Sequence, residues 1–151
     1  PDFADASANL FDAEKATIRN FKKAVLMVAG TAVQKLMMEL SKQQEILMNV
    51  ADMLAEVYSM ESVVLRTQKL ISINGEDASA TQIDMTKVFI SDAMERVNLH
   101  GKHCLQSFAE GDELRIMLMG LKRYTKYETF NTKDARRRIA AKVLEAGKYT
   151  F

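Results

Sequence analysis

After its first residue this chain of 151 residues contains no proline. Proline is the side chain that most reliably ends a helix, because it has no amide proton and its ring collides with the preceding turn. Residues 2–151 are therefore free to run as long helices, and their apolar residues repeat at helical spacing. Ile18, Phe21, Val25, Ala29, Ala32, Val33, Leu36 and Leu40 follow the three-and-four rhythm that places them on one helix face. No strand-like alternation, heptad array or low-complexity tract competes with it.

Local signals divide the pattern. The first helix is expected over residues 12–40, with Asp12 as N-cap. Gly30 at its middle should cost about 1 kcal/mol relative to alanine, which a neighbouring helix approaching closely beside Ala29 and Ala32 would offset. "SKQQ" at 41–44 has the form of a capping box and starts the second helix. That helix carries Ile46, Val50, Met53, Leu54, Val57, Val64 and Leu65 on one stripe, interrupted by Glu61, and stops at "NGEDAS" with Gly75 as a left-handed terminator. The third, over 81–108, has Thr86, Phe89, Ile90, Ala93, Val97, His100 and Cys104 as its stripe. Asp112 caps a fourth helix, with Leu114, Met117, Leu118, Leu121 and Tyr124 inward. Asn131 caps a short fifth helix ending near Gly147. Short turns between long helices favour antiparallel neighbours. The fold class read from this pattern is all-α: an up-down-up-down bundle of four main helices plus a short C-terminal helix. A domain of this length buries about two-thirds of its unfolded surface. The ten methionines read as gap filler between helices, with a Met-lined partner groove as the other reading.

The chemistry-bearing residues are sparse. Cys104 is the one cysteine, so no disulfide can form within the chain, in keeping with a reducing compartment. His100 and Cys104 stand at i, i+4 and His103 is adjacent, but zinc takes three or four protein ligands and no further cysteine or histidine exists to complete a set. Neither histidine follows a glutamate by three residues, so the paired-carboxylate pattern of di-iron bundles is excluded. Phosphate-cradling glycine loops are absent. Apolar runs such as 24–30 are too short to span a bilayer. Charge is uneven: residues 112–151 hold ten Lys+Arg against five Asp+Glu, the first 111 hold eleven against fifteen, and the net is +1. The basic end, "KRYTKYETFNTKDARRR", suits an anionic membrane surface, the phosphates of a nucleotide-bearing ligand or an acidic neighbour in a parent chain. Without a base-reading motif, no nucleic-acid partner is expected.

Two segments carry a resemblance. "VADMLAEV" at 50–57 resembles the "LADM" helix in the C-terminal domain of acyl-CoA dehydrogenases, and Arg66 falls where that helix has its "YRAA" ending. Downstream, "TKVFISDAMERV" at 86–97 resembles the family's "AKxFASExAxxV" helix. The family's "AVQxxGG", which serves flavin and dimer surfaces, is replaced by "GKHCLQS" at 101–107. "NFKKAVLMVAG", "QEILMN" and "FAEGDELRIMLMGLKRY" are similar to bacterial versions of the additional helical domain carried by very-long-chain-type members. In "FAEGDELRIML", Glu110 echoes the glutamate of "YEGTxEIxR", often the base that takes the α proton. Here Asp112 stands for the threonine and the next leucine is one residue early, so Glu110 reads as a helix-break residue or a relic.

The resemblance implies a parent that is an FAD-dependent flavoprotein of fatty acid β-oxidation, oxidising fatty acyl-CoA and passing electrons to a flavoprotein acceptor. Within it, residues 12–151 are expected to form one bundle domain and residues 1–11 a linker from a missing upstream catalytic part. The opening "PDFADASANLF", without an initiator methionine, reads as the start of an excised piece. No catalytic, cofactor-binding or metal-binding residue is assigned to this segment, and FAD is assigned to the upstream part. The expected partners are the upstream catalytic domains, a second copy in a homo-oligomer, and an anionic membrane surface. The expected location is cytoplasmic and peripheral to that membrane. The expected work is packing and dimer stabilisation. The alternative is a free-standing adaptor binding a partner helix in its Met-rich groove.

Overall fold

The computed structural model describes residues 10–149 and residue 151. Its helices are α1 (Asp12–Leu36), α2 (Gln44–Asn74), α3 (Ala80–Gln106), α4 (Gly111–Tyr124) and α5 (Thr132–Ala146). Single 3-10 segments, Met37–Lys42 and Asp77–Ser79, turn the chain between α1 and α2 and between α2 and α3. No strand occurs among the described residues.

Cross-helix contacts fix the directions. Along α2 and α3, Asn49 meets His100, Glu56 meets Arg96 and Thr67 meets Thr86, so one helix ascends as the other descends. Along α1 and α4, Gly120 faces Met27 and Glu113 holds Lys35, which is again antiparallel. The fold is the expected up-down-up-down bundle, with α5 lying back along α3 through Asp92–Arg136 and Asp84–Arg138. Of the expected linker, residues 1–9 lie outside the described residues. Phe11 is fully buried in the core, so by residue 11 the chain is already inside the bundle.

The core is apolar and continuous. Phe11, Phe21, Met53, Met60, Ile90, Leu105 and Leu121 are its largest fully buried side chains, each worth about 1.5–3 kcal/mol of transfer energy. The α3 stripe follows the sequence pattern closely. On the first two helices the stripe is rotated: Ala24, Val28 and Met60 are inside, whereas Val33, Leu54 and Leu65 are exposed. Apolar residues occupy more than one face there, so spacing alone leaves the phase open. The methionines divide as well. Met53 and Met60 are filler, while Met37, Met38, Met48 and Met119 are exposed. Asp12–Lys42 contains an 18-residue window of mean hydropathy 1.2, long and apolar enough to cross a membrane, and 22% of it is buried in the bundle. The short apolar runs had concealed this.

Several caps differ from the sequence expectation. Phe11, not Asp12, occupies the N-cap of α1, and Asp12 stands in the first turn where its charge favours the helix dipole. The α1 helix gives way at Leu36 to the 3-10 segment, with Met37 at φ 46°. The capping box does not form: Gln43 is the N-cap of α2, and the Ser41 hydroxyl donates to the Met38 carbonyl instead. Glu110, not Asp112, precedes α4. Gly75 has positive φ but extended ψ, 86° and 164°, rather than the left-handed helical turn. Asn131 does cap α5, accepting from the Asp134 amide at 3.1 Å, and Gly147 closes it in the left-handed conformation.

The close helix approach expected at Gly30 is elsewhere. Gly30 is exposed and a Cβ there would meet nothing within 4 Å. At Gly101 a Cβ would lie 2.7 Å from Leu121 Cδ1 and 3.3 Å from Met53 Cε, and Leu121 is fully enclosed. Gly101→Ala should therefore destabilise the protein by about 1–3 kcal/mol through overpacking. In chemical denaturation, pairing it with Leu121→Ala should make the combined loss smaller than the sum of the two.

Candidate functional site

The residues first considered for chemistry do not converge. His100 sits at the α2–α3 edge, its Nδ1 3.1 Å from Asn49 Oδ1 and 3.7 Å from Asp52 Oδ2. His103 is exposed, and Cys104 points into the core. Among the described residues no three His, Cys, Asp or Glu side chains group as metal ligands. Burial pushes the Cys104 thiol up to about 11, the opposite of what an attacking thiolate requires. Glu110 stands exposed at the extended residue before α4, and its carbonyl accepts from the Leu114 amide at 3.2 Å.

Two arginines of the basic end are paired within the bundle. Arg136 donates to both carboxylate oxygens of Asp92, at 2.7 and 2.6 Å. Arg138 forks onto Asp84 at 2.7 and 2.8 Å. These pairs seat α5 on α3, with Asp92 and Asp84 as acidic neighbours from within the bundle. Arg96 makes a third bidentate pair with Glu56 at 2.5 and 2.9 Å, its guanidinium 5.7 Å from the Phe89 ring centre. Thr86 gives its hydroxyl proton to the Gln82 carbonyl, so the buried Thr67 hydroxyl donates to Thr86 at 2.7 Å.

Two features escaped the sequence reading. Glu14 is buried at the base of α1, and Tyr127, beyond α4, donates to its Oε1 at 3.0 Å. Among the described residues Glu14 Oε2 has no partner. Burial, and then the Glu14 charge, push the Tyr127 phenol well above its ordinary value. No local spacing links residues 113 positions apart. Beside this pair a groove of about 560 Å³ lies between α3 and α4, floored by Met94 and Leu118 and rimmed by Lys102, Arg115, Lys122 and Lys126. It is an open hollow, with neither a nucleophile–base pair nor a preorganised donor array.

The geometry defines an antiparallel helical module whose polar pairs join helices to one another. The family described as "Acyl-CoA dehydrogenase, C-terminal domain" matches residues 20–123, and the chain belongs to it. A probable acyl-CoA dehydrogenase of Bacillus subtilis (strain 168) is 38% identical over 146 residues, covering 97% of this chain and 25% of the relative. The crystal structure of an acyl-CoA dehydrogenase complexed with FAD from Bacillus anthracis superposes with a TM-score of 0.89 at 40% identity, over 93% of this chain and 24% of that one. The chain thus spans about a quarter of the length of these relatives.

Two measurements check these assignments. Tyr127→Phe removes the donor to a buried carboxylate and should lower stability by about 1–3 kcal/mol in denaturant melts. The Cys104 proton gives a sign in pH. The ordinary thiol value is 9.0 and the folded one about 11. Its contribution should be whole below pH 9 and fade as pH rises to about 11, because the unfolded chain releases the proton first. Cys104→Ala should remove that part of the alkaline slope.

Proposed function

We propose that this chain is the non-catalytic C-terminal helical module of an FAD-dependent acyl-CoA dehydrogenase, whose upstream part binds FAD and oxidises fatty acyl-CoA between the α and β carbons. The observation that carries the reading is coverage: nearly all of this chain matches a quarter of two acyl-CoA dehydrogenases, one of them described with FAD. The module's own work is to pack on that larger body and support its oligomer, in the cytoplasm.

FAD does not fit the residues present. Where the resembled family has its flavin-contacting "AVQxxGG", this chain turns Gly101, Cys104 and Leu105 into its own core, and Leu121 fills the space beside Gly101. In the α3–α4 groove the polar side chains Asn98, Thr125 and Tyr127 are bonded within the bundle, Asn98 to Thr125 and Tyr127 to Glu14, rather than aimed at a flavin ring. Glu110 is not the base in this reading: it is exposed at a helix start and no enclosed cavity surrounds it. In the full-length enzyme, Glu110→Gln should retain acyl-CoA turnover per bound flavin within a factor of about two, whereas loss of a catalytic base costs about 100-fold or more. A collapse of single-turnover flavin reduction, with flavin content unchanged, would make Glu110 a working residue and overturn the proposal.

A further inference from the structure

Five of the exposed large apolar side chains lie on the two helices of one seam. Leu26 and Val33 on α1, and Leu54, Tyr58 and Leu65 on α2, are between 54% and 74% exposed. On α1 the positions Lys22, Leu26, Gly30 and Val33 recur every three or four residues, as do Leu54, Tyr58, Glu61 and Leu65 on α2, so each set shares one helix face. Lys22 Nζ contacts Glu61 Oε1 at 2.7 Å, which fixes both faces to the same side of the α1–α2 seam. Counting in opposite directions from that contact brings Leu26 level with Tyr58 and Gly30 level with Leu54. The result is an apolar strip about 10 Å long over Leu26, Gly30, Val33, Leu54 and Tyr58, straddling two antiparallel helices, with Leu65 beyond the Lys22–Glu61 pair. Exposed apolar side chains that adjoin one another mark an interaction surface more than the same side chains scattered singly.

Gly30 is the second observation. Glycine inside a helix is unfavourable, and nothing within this bundle approaches it. A residue without a Cβ, level with Leu54 in the middle of the strip, lets another helix cross closely. Only 22% of the apolar window in Asp12–Lys42 is buried by this bundle, so much of that helix still lacks a cover.

We propose that this strip seats the apolar face of a helix from the remainder of the parent chain. The proposal rests on the reading given under Proposed function. Its occupant follows from length, since three-quarters of each relative lies outside the matched region. At one end of the strip Glu61 stands among Lys15, Arg19 and Lys22 and pairs with Lys22, so an acidic group interrupts the uniformly basic border that an anionic lipid surface would favour.

The test uses the full-length enzyme, with its other accessible cysteines replaced and Leu54→Cys or Tyr58→Cys introduced singly. Neither substitution adds bulk to the strip. Maleimide should react with each site at least tenfold more slowly in the native enzyme than in the urea-denatured chain. Less than tenfold protection at both sites overturns the proposal. So does protection that vanishes on dilution to the monomer, which would assign the strip to a second copy. Protection arising only with phosphatidylglycerol vesicles would assign it to lipid and overturn it too. Flavin content and acyl-CoA turnover, read on the same preparations, test the dehydrogenase reading separately: slow labelling without turnover would sink that reading and leave the strip covered.

Discussion

The antiparallel seam between α2 and α3 is the constraint on which the rest depends. Met53, Val57, Met60 and Val64 on one side bury against Ile90, Ala93 and Val97 on the other, and no other apolar surface is as long. Apolar burial is non-directional, so it gives the seam strength without fixing its register. The register comes from polar pairs at intervals along it: Asn49 with His100, Glu56 with Arg96, and the buried Thr67–Thr86 hydroxyls. A shift of one turn would strand those hydroxyls away from water and each other.

Once that pair is set, the remaining helices have few choices. Gly101 leaves a hollow on α3 that Leu121 of α4 fills, and Gly120 lets α4 come against Met27 of α1. One glycine admits α4 to the α2–α3 pair, and the other brings α4 against α1. The α5 helix has a different attachment. Ala135 is its one fully buried side chain, and two arginine–aspartate forks hold it to α3. Exposed ion pairs contribute little each, so α5 is held more by geometry than by energy.

This division of labour explains why the module carries so little chemistry of its own. Side chains that elsewhere serve reactions are used between helices here: a thiol as core, a histidine at a seam, arginines as clasps. Each is packed or paired within the bundle. The chain belongs to the acyl-CoA dehydrogenase C-terminal domain family and spans a quarter of the length of a relative.

The sequence by itself determined the helices, their order, their antiparallel neighbours and the family. Periodicity and breaker residues act within a few residues along the chain, so they are written where they act, as at Asn131 and Gly147. Two helix signatures in order identified the family for the same reason. Tertiary structure alone decided which of several apolar faces turned inward on α1 and α2, because solvent exclusion depends on what packs opposite and not on spacing. It also decided that Gly101 rather than Gly30 receives a neighbour, and that Glu14 meets Tyr127 across 113 positions. Arg136 and Arg138 looked like a free basic edge in one dimension, and only folding brought Asp92 and Asp84 beneath them.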